Sequence, residues 1–139
     1  PMVVIALSPP YYPSIHNDEF QDLPERVDNL TDHLIGIAEN QWQETYRKKN
    51  YIMGITDLSY AALQNSEDIV PFIGPNMPLW RKTYNIPFDE MAALSVPVIN
   101  IGPWAKDLHK FTESVYELDL CERTPALLES AVDYVLGEL

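Results

Sequence analysis

The chain has 139 residues, of which 46% are hydrophobic and 11% aromatic, and this composition excludes an intrinsically disordered protein. Its formal net charge of −12, from 21 acidic and 9 basic residues, disfavours nucleic acid and anionic membrane surfaces as partners. The single cysteine, Cys121, excludes a disulfide framework and a thiolate metal cage within the chain, and we expect a cytoplasmic protein. No apolar run reaches the ~20 residues that a membrane span needs.

The first predicted element is a buried strand near the N-terminus. Residues 2–8 read "MVVIALS", an apolar run rich in β-branched residues, and the prolines of residues 9–13 end it. Because this run follows Pro1 directly, we expect the chain to be part of something larger. We also expect self-association through the edge of this strand.

A long amphipathic helix is predicted over residues 22–50. Asp22 with Glu25 resembles a capping box, and Asn50 can end the helix. Apolar residues recur at spacings of three and four and predict one buried face: Leu23, Val27, Leu30, Leu34, Ala38, Trp42 and Tyr46.

The remaining segments alternate between strand and helix patterns. Residues 51–55 ("YIMGI") predict a short strand and 96–102 ("VPVINIG") a buried strand. Residues 106–115 and 124–139 predict amphipathic helices, and 116–120 predict an edge strand. Four prolines within residues 67–90 predict mostly loop, with a short helix over 89–95. In the C-terminal helix, Thr124 is the expected N-cap, and the expected buried stripe is Leu127, Leu128, Ala131 and Val135. This alternation predicts an α/β fold with a mostly parallel sheet flanked by helices, in a single domain over residues 1–139.

In such sheets, functional residues lie in the loops after the carboxyl ends of strands. Two predicted loops meet this condition, one after the strand over residues 51–55, which contains Thr56-Asp57, and one after the strand over 96–102, which leads to His109. His109 and Glu113 share one face of the predicted helix, and an imidazole with a neighbouring carboxylate suits zinc. Spacing alone favours a structural or solvated histidine, because a catalytic zinc needs at least three protein ligands. Thr56 or Asp57 either belongs to a ligand loop that Gly54 lets turn tightly, or simply caps a helix.

The other histidines are predicted to be ordinary. His16 begins the polar segment "HND", which is typical of a solvated loop rather than of a ligand pair. His33 lies within the long predicted helix and is expected on its surface.

Three segments carry a resemblance to a known family. In order, "SPPYYP", "GITDLSYA" and "PVINIGPWAKDLHKFTESV" resemble the arginine-utilisation (RocB-type) proteins, within the larger family of zinc-dependent aminoacylases, deacetylases and carboxypeptidases. The resemblance implies the C-terminal portion of a longer parent protein, and thus a partial zinc-peptidase-like catalytic domain. In that family two zinc ions hold a water that a glutamate deprotonates to attack an amide carbonyl.

The resemblance also implies roles for particular residues. His109 resembles the last metal ligand, Glu113 the glutamate that supports it, and the residues that resemble substrate-loop positions are Gly54, Thr56, Asp57 and Gly102. Two positions depart from the family pattern: Ala105 stands where a glycine is common, and Ser114 where an arginine is common.

The family's other ligands are absent from the chain. Its first His-x-Asp pair, bridging aspartate and Glu-Glu pair come from its N-terminal part. No catalytic set is therefore complete here, and we expect the chain alone to bind no catalytic zinc and to be inactive. The parent would cleave an amide in a small amino-acid-derived substrate during amino-acid degradation. The alternative is a self-standing, non-catalytic α/β module that binds a ligand or a protein.

Overall fold

The computed structural model describes residues 1–5, 13, 15–50, 56–63 and 66–137. In chain order the helices are α1 (Glu25–Asp28), α2 (Leu30–Trp42), α3 (Ser66–Asn76), α4 (Phe88–Leu94) and α5 (Thr124–Leu136), the strands are β1 (Ala105–Lys106) and β2 (Ser114–Val115), and shorter turns are 3-10 helical at Asn17–Glu19 and Asp57–Tyr60 and π-helical at Asp119–Arg123. These elements make a helix-rich, mixed α/β fold.

The chain divides into two compact units. The first unit combines Pro1–Phe20 with Tyr51–Val98, and the second combines Gln21–Asn50 with Ile99–Leu139. Each unit therefore consists of two stretches that are separated in the sequence. The expected single domain over residues 1–139 stays a prediction.

The core of the second unit lies between α2 and α5. Leu30 and Leu34 of α2 pack with Leu127 and Ala131 of α5, and all four side chains are buried. Ala38 is buried on the same face of α2. The predicted apolar face is thus confirmed at its centre, where residues spaced by four meet a partner helix.

The ends of the predicted long helix are wrong. Asp22 has a positive φ of 56°, and the N-cap of α1 is Pro24, which has no side-chain capping bond. The helix ends at Trp42, because Gln43 is left-handed with a φ of 55° and the N–H of Glu44 bonds back to the carbonyl of Ala38. The left-handed Gln43 also donates its N–H to the carbonyl of Glu39 at 3.1 Å, as in an αL C-cap motif, and residues 44–50 lie outside the helix.

The described part of the first unit has a core of its own, in which Leu63, Ile86, Phe88 and Met91 are buried. Helix α4 confirms the predicted short helix. The loop predicted over residues 67–90 is wrong in its first half, since α3 continues through Pro71 and Pro75. Side chains of α3, including Ile69 and Ile73, pack on the core, so tertiary packing outweighs the cost of the prolines here.

The parallel sheet that the sequence predicts is not supported. In the described ranges the strands form a two-stranded antiparallel sheet, and one isolated parallel bridge joins Trp80 to Tyr84. Residues 96–102 form no strand. The N–H of Val98 donates to Asn17 Oδ1 at 2.9 Å, and Asn17 Nδ2 donates to the carbonyl of Val98 at 2.6 Å. Beyond it, Ile99 and Ile101 pack on the second unit's core.

The other predicted strands have different outcomes. Met2–Ile5 form no strand and are largely exposed, while residues 6–8 and 51–55 lie outside the described residues. The edge strand predicted over residues 116–120 is wrong, because this segment begins the helical run that includes the π-helical turn.

The predicted cap and stripe of α5 are only partly right. The N-cap is Arg123 rather than Thr124, since the π-helical turn leads straight into the helix. Leu127 and Ala131 are buried as predicted, whereas Leu128 and Val135 are exposed.

Candidate functional site

His109 lies in a β-hairpin and not on the predicted helix. β1 and β2 pair antiparallel, Ala105 opposite Val115 and Lys106 opposite Ser114, and residues 107–113 connect them. Asp107 and His109 have positive φ angles of 55° and 61°, a conformation incompatible with an α-helix. The predicted helix over residues 106–115 is therefore wrong.

Side chains of the connecting loop bond locally in ways that replace helical hydrogen bonds. The Asp107 carboxylate accepts from the Thr112 hydroxyl at 2.9 Å and pairs with the Lys110 ammonium at 3.3 Å. The backbone N–H of Lys110 bonds to the carbonyl of Asp107 at 2.9 Å, which closes a tight turn around His109. Short polar side chains compete with helix formation in this way.

The side chain of Glu113 contacts the main chain of His109. The N–H of His109 donates to Glu113 Oε2 at 3.1 Å, so the carboxylate supports the left-handed backbone at the tip of the loop. His109 itself is exposed, as are the neighbouring Leu108 and Phe111. The structure thus brings the predicted ligand and its predicted supporting carboxylate together, and the roles of both stay predictions.

A buried ion pair holds the base of the hairpin. Asp119 accepts the N–H of Trp104 on Oδ2 at 3.1 Å and Arg123 Nη1 on Oδ1 at 3.0 Å. Arg123 Nη2 reaches Glu44 Oε1 at 2.9 Å, just beyond the end of α2. The N–H of Tyr116 closes the other side of the hairpin on the carbonyl of Trp104 at 2.9 Å.

The electrostatics of this network follow from burial and hydrogen bonding. The hydrogen bond to Asp119 raises the pKa of the Arg123 guanidinium against the opposing effect of burial. Burial raises the pKa of the Tyr46 hydroxyl, and the negative charge of Asp119 raises it further. Neither Asp119 nor Arg123 was among the predicted site residues. Their spacing of four, acid before base, was the available signal.

The predicted substrate-loop residues belong to both units. In the first unit the Thr56 hydroxyl accepts the N–H of Leu58 at 3.4 Å and caps the turn Asp57–Tyr60, and the Asp57 side chain is exposed. In the second unit Gly102 is exposed, and a Cβ added to it would meet nothing within 4 Å. Gly54 lies outside the described residues. Thr56 therefore has the capping role, and the substrate-loop roles stay predictions.

The two remaining histidines lie next to structural contacts. His16 is partly buried and precedes the 3-10 turn Asn17–Glu19, and its carbonyl accepts the N–H of Glu19 at 3.2 Å. His33 stacks its ring on Tyr134 of α5, with centroids 3.9 Å apart, and its buried Nε2 atom has no hydrogen-bond partner among the described residues. His33 is thus a packing residue between two helices rather than a surface residue.

Two shallow depressions of the described surface are lined by residues other than His109. One of about 600 Å³ lies in the first unit and is lined by residues 80–90 together with Val70. The other, of about 340 Å³, lies beside the π-helical turn. Within the described ranges, no three histidine, cysteine or carboxylate side chains come together to hold a metal ion. The helices of this part of the chain are also too short or too polar to cross a membrane.

Comparison with known proteins gives the larger context. No model of a known protein family matches the chain, and no solved structure matches it. Over 138 residues, 99% of the chain, it is 35% identical to YqjN, an uncharacterized protein of Bacillus subtilis (strain 168). Over 138 residues, 96% of the chain, it is 30% identical to the protein RocB of the same strain. The matched region is 24% of the length of either relative, so the chain corresponds to a fragment of a larger RocB-like protein.

Proposed function

We propose that this chain is the C-terminal part of the catalytic domain of a RocB-type, zinc-dependent amidohydrolase that serves arginine utilisation. The observation that carries the proposal is the similarity of nearly the whole chain to about a quarter of two longer proteins, one of them RocB. The substrate of the complete enzyme is a small amino-acid-derived amide. The single cysteine supports a cytoplasmic location.

The contribution of this chain to the site is the imidazole of His109. The hairpin presents it at an exposed tip, and the Glu113 carboxylate holds its backbone nitrogen. The described residues alone do not fit a catalytic zinc, which needs at least three protein ligands. The other ligands therefore come from elsewhere in a longer polypeptide, and by itself the chain is inactive.

A chimera tests the proposal: RocB of B. subtilis with its matched region replaced by this chain. Release of amino acid from a panel of N-acylated amino acids, N-acetylarginine included, measures activity, and elemental analysis measures zinc. We expect His109→Ala to lower activity at least about 100-fold and Glu113→Ala, which removes the acceptor of the His109 N–H, about 10- to 100-fold. Lys110→Ala in the same loop is the matched control and keeps activity.

Two results would contradict the proposal. Full amidase activity of the isolated chain with stoichiometric zinc would refute the fragment assignment. An active chimera that is insensitive to His109→Ala would refute metal ligation by His109.

The second candidate is a non-catalytic module that binds a protein. Four apolar side chains of α5 are exposed, and this favours docking to another polypeptide or to a second copy: Leu128, Val132, Val135 and Leu136. In that case the chimera is inactive both with His109 and with the His109→Ala substitution. Sedimentation of the isolated chain tests self-association, and a clean monomer at high concentration counts against it.

A further inference from the structure

Asp119 is a buried carboxylate to which the proposed chemistry assigns no part. Only 5% of the residue is exposed, and each carboxylate oxygen accepts a different donor, the N–H of Trp104 and the guanidinium of Arg123. Carboxylates are rarely buried to this extent unless they are paired. The second ion pair of Arg123, to Glu44, ties the same group to the segment that follows α2.

The hairpin that carries His109 needs such an attachment. β1 and β2 have two residues each, and an isolated two-stranded hairpin is marginally stable at best. Its tip has the exposed side chains Leu108, His109 and Phe111, which contribute little burial of their own. At its base the hairpin is joined to the π-helical turn by the bond from the Trp104 N–H to Asp119. The N–H of Tyr116 closes the hairpin itself on the carbonyl of Trp104.

We propose that Asp119 is the positioning residue that fixes the hairpin and thereby sets the direction in which the His109 imidazole is presented. The significance of this direction for metal binding rests on the proposed function. The negative charge is required, because both oxygens accept hydrogen bonds at once. An asparagine would turn its amide N–H₂ group toward one of two donors and lose that bond.

The first test uses the unaltered chain and needs no substitution. A long-range HNCO spectrum detects scalar coupling across a hydrogen bond. We expect a correlation from the Trp104 N–H to the side-chain carboxyl carbon of Asp119. Its absence, with other backbone bonds of the hairpin detected, would overturn the proposal.

The second test compares Asp119→Asn with Glu122→Gln, which alters an exposed acid of the same π-helical turn. We expect Asp119→Asn to speed amide hydrogen exchange at Trp104 and Tyr116 by about tenfold or more, because a charge-assisted bond is lost. Exchange at the buried Ala131 of α5 is expected to be unchanged, and Glu122→Gln is expected to change none of these rates.

Two exchange results would overturn the proposal: unchanged rates at Trp104, or equal acceleration at Ala131, which would make Asp119 a stabiliser of the whole unit. In the RocB chimera, we expect Asp119→Asn to weaken zinc binding at least about tenfold while the fold is kept. Unaltered zinc affinity in a chimera that needs His109 would overturn the positioning role. A loosened hairpin in a chimera that does not need His109 would refute the proposed function alone.

Discussion

Two adjacent leucines of α5 allow a sharp test of which face of this helix is buried. Leu127 is 5% exposed and packs on Leu30 and Leu34 of α2, whereas Leu128 is 47% exposed. We compare Leu127→Ala with Leu128→Ala. Both positions are interior to the same helix, so the change in helix propensity is the same in each variant and cancels.

The magnitude follows from burial. Leu→Ala removes about three methylene equivalents at ~0.8 kcal/mol each, or about 2.4 kcal/mol for a fully buried side chain. Leu127 is almost fully buried, and its removal also leaves a cavity, so we expect a loss of about 2.5–4 kcal/mol. For Leu128 about half of the transfer free energy applies, and the real denatured chain lowers that value, so we expect at most about 1 kcal/mol.

Urea unfolding followed by far-UV circular dichroism measures both free energies of unfolding. An unchanged m-value would show that the denatured state is the same in both variants. A difference of less than about 0.5 kcal/mol between the two variants, or a larger cost for Leu128→Ala, would refute the assignment of Leu127 to the buried face.

Three further predictions concern local features. Gly137→Ala should lower the free energy of unfolding by about 1–2 kcal/mol, because φ is +86° and the new Cβ would lie 2.9 Å from Arg26 Nη1. Gly36→Ala within α2 should instead raise it by about 0.5–1 kcal/mol. Changes of the same sign for both variants in urea unfolding would contradict this. Tyr46→Phe should reduce the loss of stability above about pH 10. The raised pKa keeps the Tyr46 hydroxyl protonated in the folded state after it has ionised in the unfolded state, so the free energy of unfolding falls as the pH rises. Unfolding midpoints that fall equally in the unaltered chain and in Tyr46→Phe would contradict this. Asn17→Ala should cost about 1 kcal/mol by losing two hydrogen bonds to the main chain. Asn17→Asp should cost at least as much, because it places a carboxylate oxygen against the Val98 carbonyl in place of an N–H donor, and a clearly smaller loss for Asn17→Asp in urea unfolding would contradict this.

The sequence predicted the helical core where periodicity and burial agree. The spacing of Leu30, Leu34 and Ala38 identified the buried face of α2, and Leu127 with Ala131 identified that of α5. A spacing of four shows only that side chains share a face. It does not show how wide the buried stripe is, so Leu128 was assigned to the core wrongly.

The hairpin could not be predicted from apolar spacing. Leu108, Phe111 and Val115 have the spacing of a helix face, yet none of them is buried. The conformation is decided instead by left-handed residues and by the bonds of Asp107 to its neighbours, which periodicity does not register. The same is true of Asp119, whose importance depends on a contact with Trp104, fifteen residues earlier.

The division of each unit between two stretches of sequence has a consequence for folding during synthesis. The apolar face of α2 meets its partner only when α5 has been made, and residues 43–123 separate the two helices. At the usual rate of translation, about 5–20 residues per second, this interval lasts roughly 4 to 16 seconds. Leu30 and Leu34 have no α5 surface to pack against during that time, and the loop between the two helices must close before the core of the second unit can form.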